Sequence, residues 1–280
     1  MTFIEPPRSE ELREEAIEQL RDQFEATSRS IKRVVYKEFP VSCLNLFPIG
    51  DAHYGDPAFD EALFKQTINN VKYSGGQVIL MGDLIENANR NSVGAGVYHQ
   101  EINPMDQYKQ MLTYLNPIRD RVLGILIGNH EDRVFQDCGF NVTELMAREL
   151  GVDYLGWGGY FVLKVKSQVY KIFATHGSSG SRLPEGKLKA CKEVGKNKDV
   201  DLVLMGHVHE IVGDYDEIEC INPETLEVYY KRKYFETTGH FMGKYNGEAY
   251  YMKKSMPKTK LGSPVINLFG ELHKIDVIEP

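Results

Sequence analysis

At 280 residues, 42% of them hydrophobic and 26% charged, the chain can bury a sizeable core, and its composition excludes a disordered or fibrous protein. A net charge of -7 argues against a general nucleic-acid coat protein, and no apolar run approaches the roughly 20 residues that span a bilayer. Charge is uneven, however: residues 1–30 carry eight acids against four bases and residues 229–260 eight bases against two acids, so one end could still face an anion.

The opening stretch "MTFIEPPRSEELREE" has no basic segment followed by an apolar one, so no secretory leader is expected and a cytoplasmic location is. "PRSEELREEAIEQLRDQFEAT" predicts an amphipathic helix capped by Ser9, with Leu12, Ala16, Ile17, Leu20 and Phe24 on one stripe. Residues 1–38 therefore read as a helical extension packed on its own domain or, alternatively, on a second subunit of a homo-oligomer. Residues 39–280 read as a single domain. Cys43, Cys138, Cys191 and Cys220 lack framework spacing and read as reduced thiols.

From Cys43 onward, short β-rich runs end on glycine followed by polar residues. "CLNLFPI" meets "GDAH", "QVILM" meets "GDLIEN", "VLGILI" meets "GNHEDR", "VYKIFA" meets "THGSSGS", and "DLVLM" meets "GHVHE". Helical patterns fit between several of them, notably "DPAFDEALFKQTINNVKYS", "NPMDQYKQMLTYLNPIRDR" and "NVTELMAREL". Such alternation predicts α/β layering with ligands outside the carboxyl ends of the strands, so the five polar clusters should converge on one crevice. After "GHVHE" short β-like runs suggest a closing antiparallel portion.

The strand-end residues are Asp51, His53, Asp83, Asn129, His130, His176, His207 and His209. Oxygen and imidazole donors without thiolate suit Mn²⁺, Fe²⁺, Zn²⁺ or Mg²⁺ rather than a cysteine-type structural zinc site. Eight such residues exceed the needs of one ion, and two ions sharing a carboxylate would use them to clamp a phosphate.

This ordered set, G-D-x-H, G-D-x-x-acid, G-N-H-acid, a later His before Gly, and G-H-x-H, resembles the calcineurin-like metallophosphoesterase superfamily over about residues 43–209. The resemblance implies a layered β-sandwich flanked by helices and a dinuclear centre, with Mn²⁺ favoured. It implies that Asp51, His53 and His209 hold one ion, that Asn129, His176 and His207 hold the other, and that Asp83 bridges them. His130 would be the catalytic histidine beside the leaving oxygen, and Glu131 the acid that orients it. Glu86 stands where the second motif commonly has Asp. Arg133 is similar in position to a phosphate-holding arginine of the protein-phosphatase branch, but that branch expects arginine where this chain has Asn87; both positions are expected to be substrate contacts. "GHVH" points to the phosphodiesterase side, and "NANRNSVGAGVYHQEINPMDQY" is similar to a stretch of phage-type members. The activity implied is phosphodiester hydrolysis of nucleic acid (DNA or RNA) or nucleotides by in-line attack of metal-bound hydroxide. A phosphomonoesterase or protein phosphatase is the alternative, and a non-catalytic binding member the third reading.

Other residues invite blander readings. His99 reads as a loop histidine, His240 and His273 as turn or surface residues, and Trp157 as a packed turn aromatic rather than a base-stacking platform. The basic, tyrosine-rich stretch with Lys231, Arg232, Lys233, Tyr229, Tyr230, Tyr234, Tyr245, Tyr250 and Tyr251 fits either a nucleic-acid surface or a half-exposed sheet. The bases between Arg182 and Lys198 read most simply as a solvated helix face.

Overall fold

Strand β2 (Cys43–Ile49) shows how the fold begins. Leu44 and Leu46 point to one side and Phe47 and Ile49 to the other, and all four are buried, so this strand needs a cover on both faces. A computed structural model supplies both covers and describes residues 34–89, 92, 96–100, 102–243 and 259–280. The N-terminal helix expected from the sequence, and Tyr245, Tyr250 and Tyr251, lie outside the described residues. Val35–Pro280 form one compact unit.

Strands β2, β3 (Gln77–Leu80) and β4 (Val122–Ile125) run parallel, and β10 (Val265–Phe269) and β11 (Ile275–Ile278) extend that sheet antiparallel from β2. The second sheet has the order β1-β5-β6-β7-β9-β8. Its members are β1 (Val34–Phe39), β5 (Gly158–Val165), β6 (Gln168–Thr175), β7 (Leu202–Met205), β8 (Gly213–Ile221) and β9 (Val228–Thr237). β6, β7 and β9 are mutually parallel. The sheet thus starts at Val34, inside the stretch read as extension, because Val35 is buried in the inter-sheet core.

Leu46, Ile79, Phe161, Ile172, Leu204 and Ile266 meet between the sheets. On the outer face of the five-stranded sheet, Phe47, Ile49, Val78 and Leu80 pack against α1 (Glu61–Ser74), α2 (Pro104–Leu115) and α4 (Val142–Leu150) through Phe64, Ile68, Met111 and Met146. α5 (Pro184–Gly195) covers the other sheet through Cys191 against Val203 and Phe235. The molecule is a mixed α/β sandwich flanked by helices, and among the described residues the motif strands divide between two sheets. The short α3 (Asn129–Cys138) begins on the third motif itself.

Candidate metal centre

The carboxyl ends of β2, β3 and β4 deliver Asp51, His53, Asp83, Asn129 and His130, while β6 and β7 deliver His176, His207 and His209. Cross-sheet bonds fix the two groups: His176 Nδ1 lies 2.9 Å from the Met81 carbonyl oxygen, and the His207 N–H donates to Asp51 Oδ2 at 2.9 Å. Close approach of the loops demands glycine. Gly82 has φ of 89°, and a Cβ on Gly128 would fall 2.0 Å from Asp83 Oδ1.

Both central aspartates anchor one oxygen and present the other. Asp83 Oδ1 accepts from the His130 N–H at 2.8 Å, whereas Oδ2 lies 3.3 Å from His176 Nε2, 3.8 Å from His53 Nε2 and 3.9 Å from His130 Nε2. Asp51 gives Oδ2 to the His207 amide; its Oδ1 is buried without a hydrogen-bond partner, 3.2 Å from His209 Nε2. His53 Nε2 faces His209 Nε2 at 3.1 Å. Asn129 Oδ1 sits 3.1 Å from His176 Nε2 and 2.8 Å from His207 Nδ1. The possible ligand groups are Asp51–His53–His209, His53–Asp83–His130 and Asp83–His176–His207, with donor atoms within 4.8 Å of one another in each. An orphaned buried carboxylate oxygen amid converging imidazole nitrogens is what a divalent cation would satisfy, so the donor set fits such an ion.

Over residues 47–211, more than half of the chain, the sequence matches the family model for calcineurin-like phosphoesterase. The chain belongs to that family. Solved structures similar to this chain share little sequence with it. A predicted phosphoesterase from Streptococcus pneumoniae TIGR4 is 10% identical, with TM-score 0.38 and coverage of 85% of this chain and 91% of that one. A metallophosphoesterase from Sphaerobacter thermophilus gives 10%, 0.38, 85% and 88%. Wild-type Vps29 complexed with Zn²⁺ from Entamoeba histolytica gives 15%, 0.38, 84% and 99%. No curated protein matches the sequence.

Within the cluster, Glu86 does more than its motif position suggested. Its Oε2 lies 3.1 Å from His53 Nδ1 and 3.2 Å from His130 Nδ1. Burial opposes its charge, but the two histidines outweigh burial and hold the carboxyl at about 2. The expectation that Glu131 orients His130 is corrected: the carboxylate beside the His130 ring is Glu86. Glu131 accepts instead from the backbone N–H groups of Asp83, Leu84, Ile85 and Gly128 at 2.7–3.2 Å, tying the second motif loop to the start of α3. A carboxylate at the third helical residue is well placed to take these orphan donors.

Burial disfavours charge on His130 and His176, yet Asp83 and its neighbours raise them to about 9 and about 10. A divalent ion would compete with those protons for the same lone pairs. Arg133 reaches the His130 ring, with Nη1 3.2 Å from Nδ1 and Nη2 3.0 Å from Nε2. Asn87 is buried; its Nδ2 donates to the His130 carbonyl at 2.9 Å, and its own N–H is held by Gln107 Oε1 at 2.8 Å. Its side-chain amide therefore serves the loop that carries His130.

His240 differs from its expected surface role. It is buried, its ring stacks on His209 at 5.1 Å between centroids, and Nε2 lies 2.6 Å from Thr259 Oγ1. A usable clue lay in "YFETTGH", which ends β9, parallel to β7, on the same Gly-His pattern as the other motifs. The basic triplet is also differently employed. Lys231 pairs with Asp201 at 3.2 Å, and Arg232 pairs with Glu217 at 3.2 Å with its guanidinium over Tyr215. Lys233 is buried and donates to the carbonyls of Gly195 and Lys198. On α5, Lys187 is buried against Glu210 at 3.1 Å and Lys192 bridges Asp214 and Asp216, so this helix face is less solvated than expected.

Proposed function

We propose that the protein hydrolyses phosphodiesters, with nucleic acid or nucleotides as substrate class, at a dinuclear centre. The observation that carries this reading is Asp83, whose second oxygen stands between the His53 side and the His176 side of the donor cluster. Asp51, His53 and His209 would hold one ion, and Asn129, His176 and His207 the other, with Asp83 shared and Mn²⁺ the favoured metal. Bound divalent ions would supply Lewis-acid activation of the phosphoryl group and of the attacking water. His53 and His176 are pre-aimed, since each has Nδ1 engaged by Glu86 or by a carbonyl and offers Nε2 inward.

His130, half-buried at the start of α3, can give a proton from Nε2 to the leaving oxygen, with Glu86 holding the opposite side of its ring. Arg133 is positioned to neutralise a phosphate oxygen near the same atom. That arginine equally supports a monoesterase, the second reading.

The test is metal content and turnover together. Protein purified with Mn²⁺ should contain two ions per chain and cleave an oligonucleotide faster than a phosphomonoester. Asp83→Asn should lose an ion. Stoichiometry saturating at one ion, unchanged in Asp83→Asn, would overturn the bridging role; cleavage of monoesters alone would establish the second reading.

A further inference from the structure

Beside His176, at the edge of the donor cluster, stands an aromatic side chain that does not join it, Trp157. The antiparallel ladder of β5 and β6 pairs Gly158 with Thr175. One step further, Trp157 stands opposite His176, and its carbonyl accepts from the His176 N–H at 3.2 Å and from Thr175 Oγ1 at 2.8 Å. Opposed residues of an antiparallel pair project on one face, and the two rings lie 6.4 Å apart between centroids. His176 is wholly buried while Trp157 keeps 45% of its surface in solvent. A residue serving only to cover His176 would bury its own apolar surface over it. Here a flat aromatic surface, fixed at its backbone, stays open at the rim of a cluster suited to gripping phosphate. That is the composition of a site for a ligand with a planar ring at one end and an anion at the other.

We propose that Trp157 is the platform on which a nucleobase of the substrate stacks, making that substrate a nucleotide or oligonucleotide phosphoester; this rests on the phosphoesterase reading above. Base–aromatic stacking tolerates any base, because each has a π-face.

The protein contains a single tryptophan, so fluorescence excited at the red edge, where its tyrosines do not absorb, reports this residue alone. In the Mn²⁺-loaded full chain, adenosine 5′-monophosphate should quench the emission saturably, and ribose 5-phosphate should not. For cleavage, KM for an abasic oligonucleotide should exceed that for the intact one by roughly 5- to 150-fold, the range expected of one stacked base. That ratio should collapse toward unity in Trp157→Ala and be largely restored in Trp157→Phe. Equal responses to the two monophosphates, or a ratio unaltered in Trp157→Ala, would overturn the platform. If neither oligonucleotide is cleaved with any metal but base-dependent quenching persists, the nucleic-acid diesterase reading fails and the platform stands, with a nucleotide as its ligand. Cleavage of both with equal KM would do the reverse.

Discussion

Asp51, His53, Asp83, Asn87, His207 and His209 all hold φ between 48° and 68°, a left-handed backbone that side chains adopt at a cost of order 1–3 kcal/mol each. These are the residues that face the crevice or brace it, so strain is concentrated where donors must be aimed. The carboxylates around them divide the labour. Replacing Glu131 by Gln turns part of an all-acceptor group into a donor facing four N–H groups; thermal unfolding at pH 8 should show a loss of about 1–3 kcal/mol. His130→Ala should leave Tm close to that of the parent and lower kcat by roughly 10²- to 10⁴-fold. Glu86→Gln belongs to a third class, because it weakens the hold on both His53 and His130. Calorimetric titration should show Mn²⁺ affinity falling roughly 10- to 100-fold.

At the scale of elements, the β9 triplet locks the sheet to the end of α5. Lys233→Ala would strand the carbonyls of Gly195 and Lys198, and denaturant melts should register a loss of about 1–3 kcal/mol, while Arg232→Ala, on an exposed pair, should leave the midpoint unmoved. The motif strands were legible in the sequence because "CLNLFPI" and "DLVLM" must be covered on both faces and each ends on glycine. α1 was legible through its cap at Asp60 and its buried Phe64, Ile68 and Val71. Division of those strands between two sheets was not, since the apolar runs are alike and only long-range pairing, such as β10 on β2, decides membership. His240 was obscured because its motif holds no acid, and Glu131 was misread because backbone N–H groups leave no mark in the sequence.

For the whole molecule, pH and metal act on stability through separate groups. Glu236 is buried with Oε1 unpartnered, and burial raises its pKa from 4.5 to about 8. A carboxyl raised in the fold contributes stability fully below its unfolded value, and that contribution is lost as pH rises through the folded one. Glu236→Gln should therefore flatten the decline in Tm between about pH 4.5 and pH 8; an unaltered decline would assign it to other groups. Mn²⁺ at a hundredfold excess over Kd should add about 2.7 kcal/mol for each site filled, lost on chelation. The donors sit on opposite leaves of the sandwich, with Asp51, His53, Asp83 and Asn129 on one and His176, His207 and His209 on the other. An ion bound there acts as a rivet through both leaves, and sliding of one over the other would have to shear it. Loading the centre should consequently slow amide hydrogen exchange along β6 and β7 as much as along β2 and β3, a stiffening that reaches strands whose own residues never touch the ion.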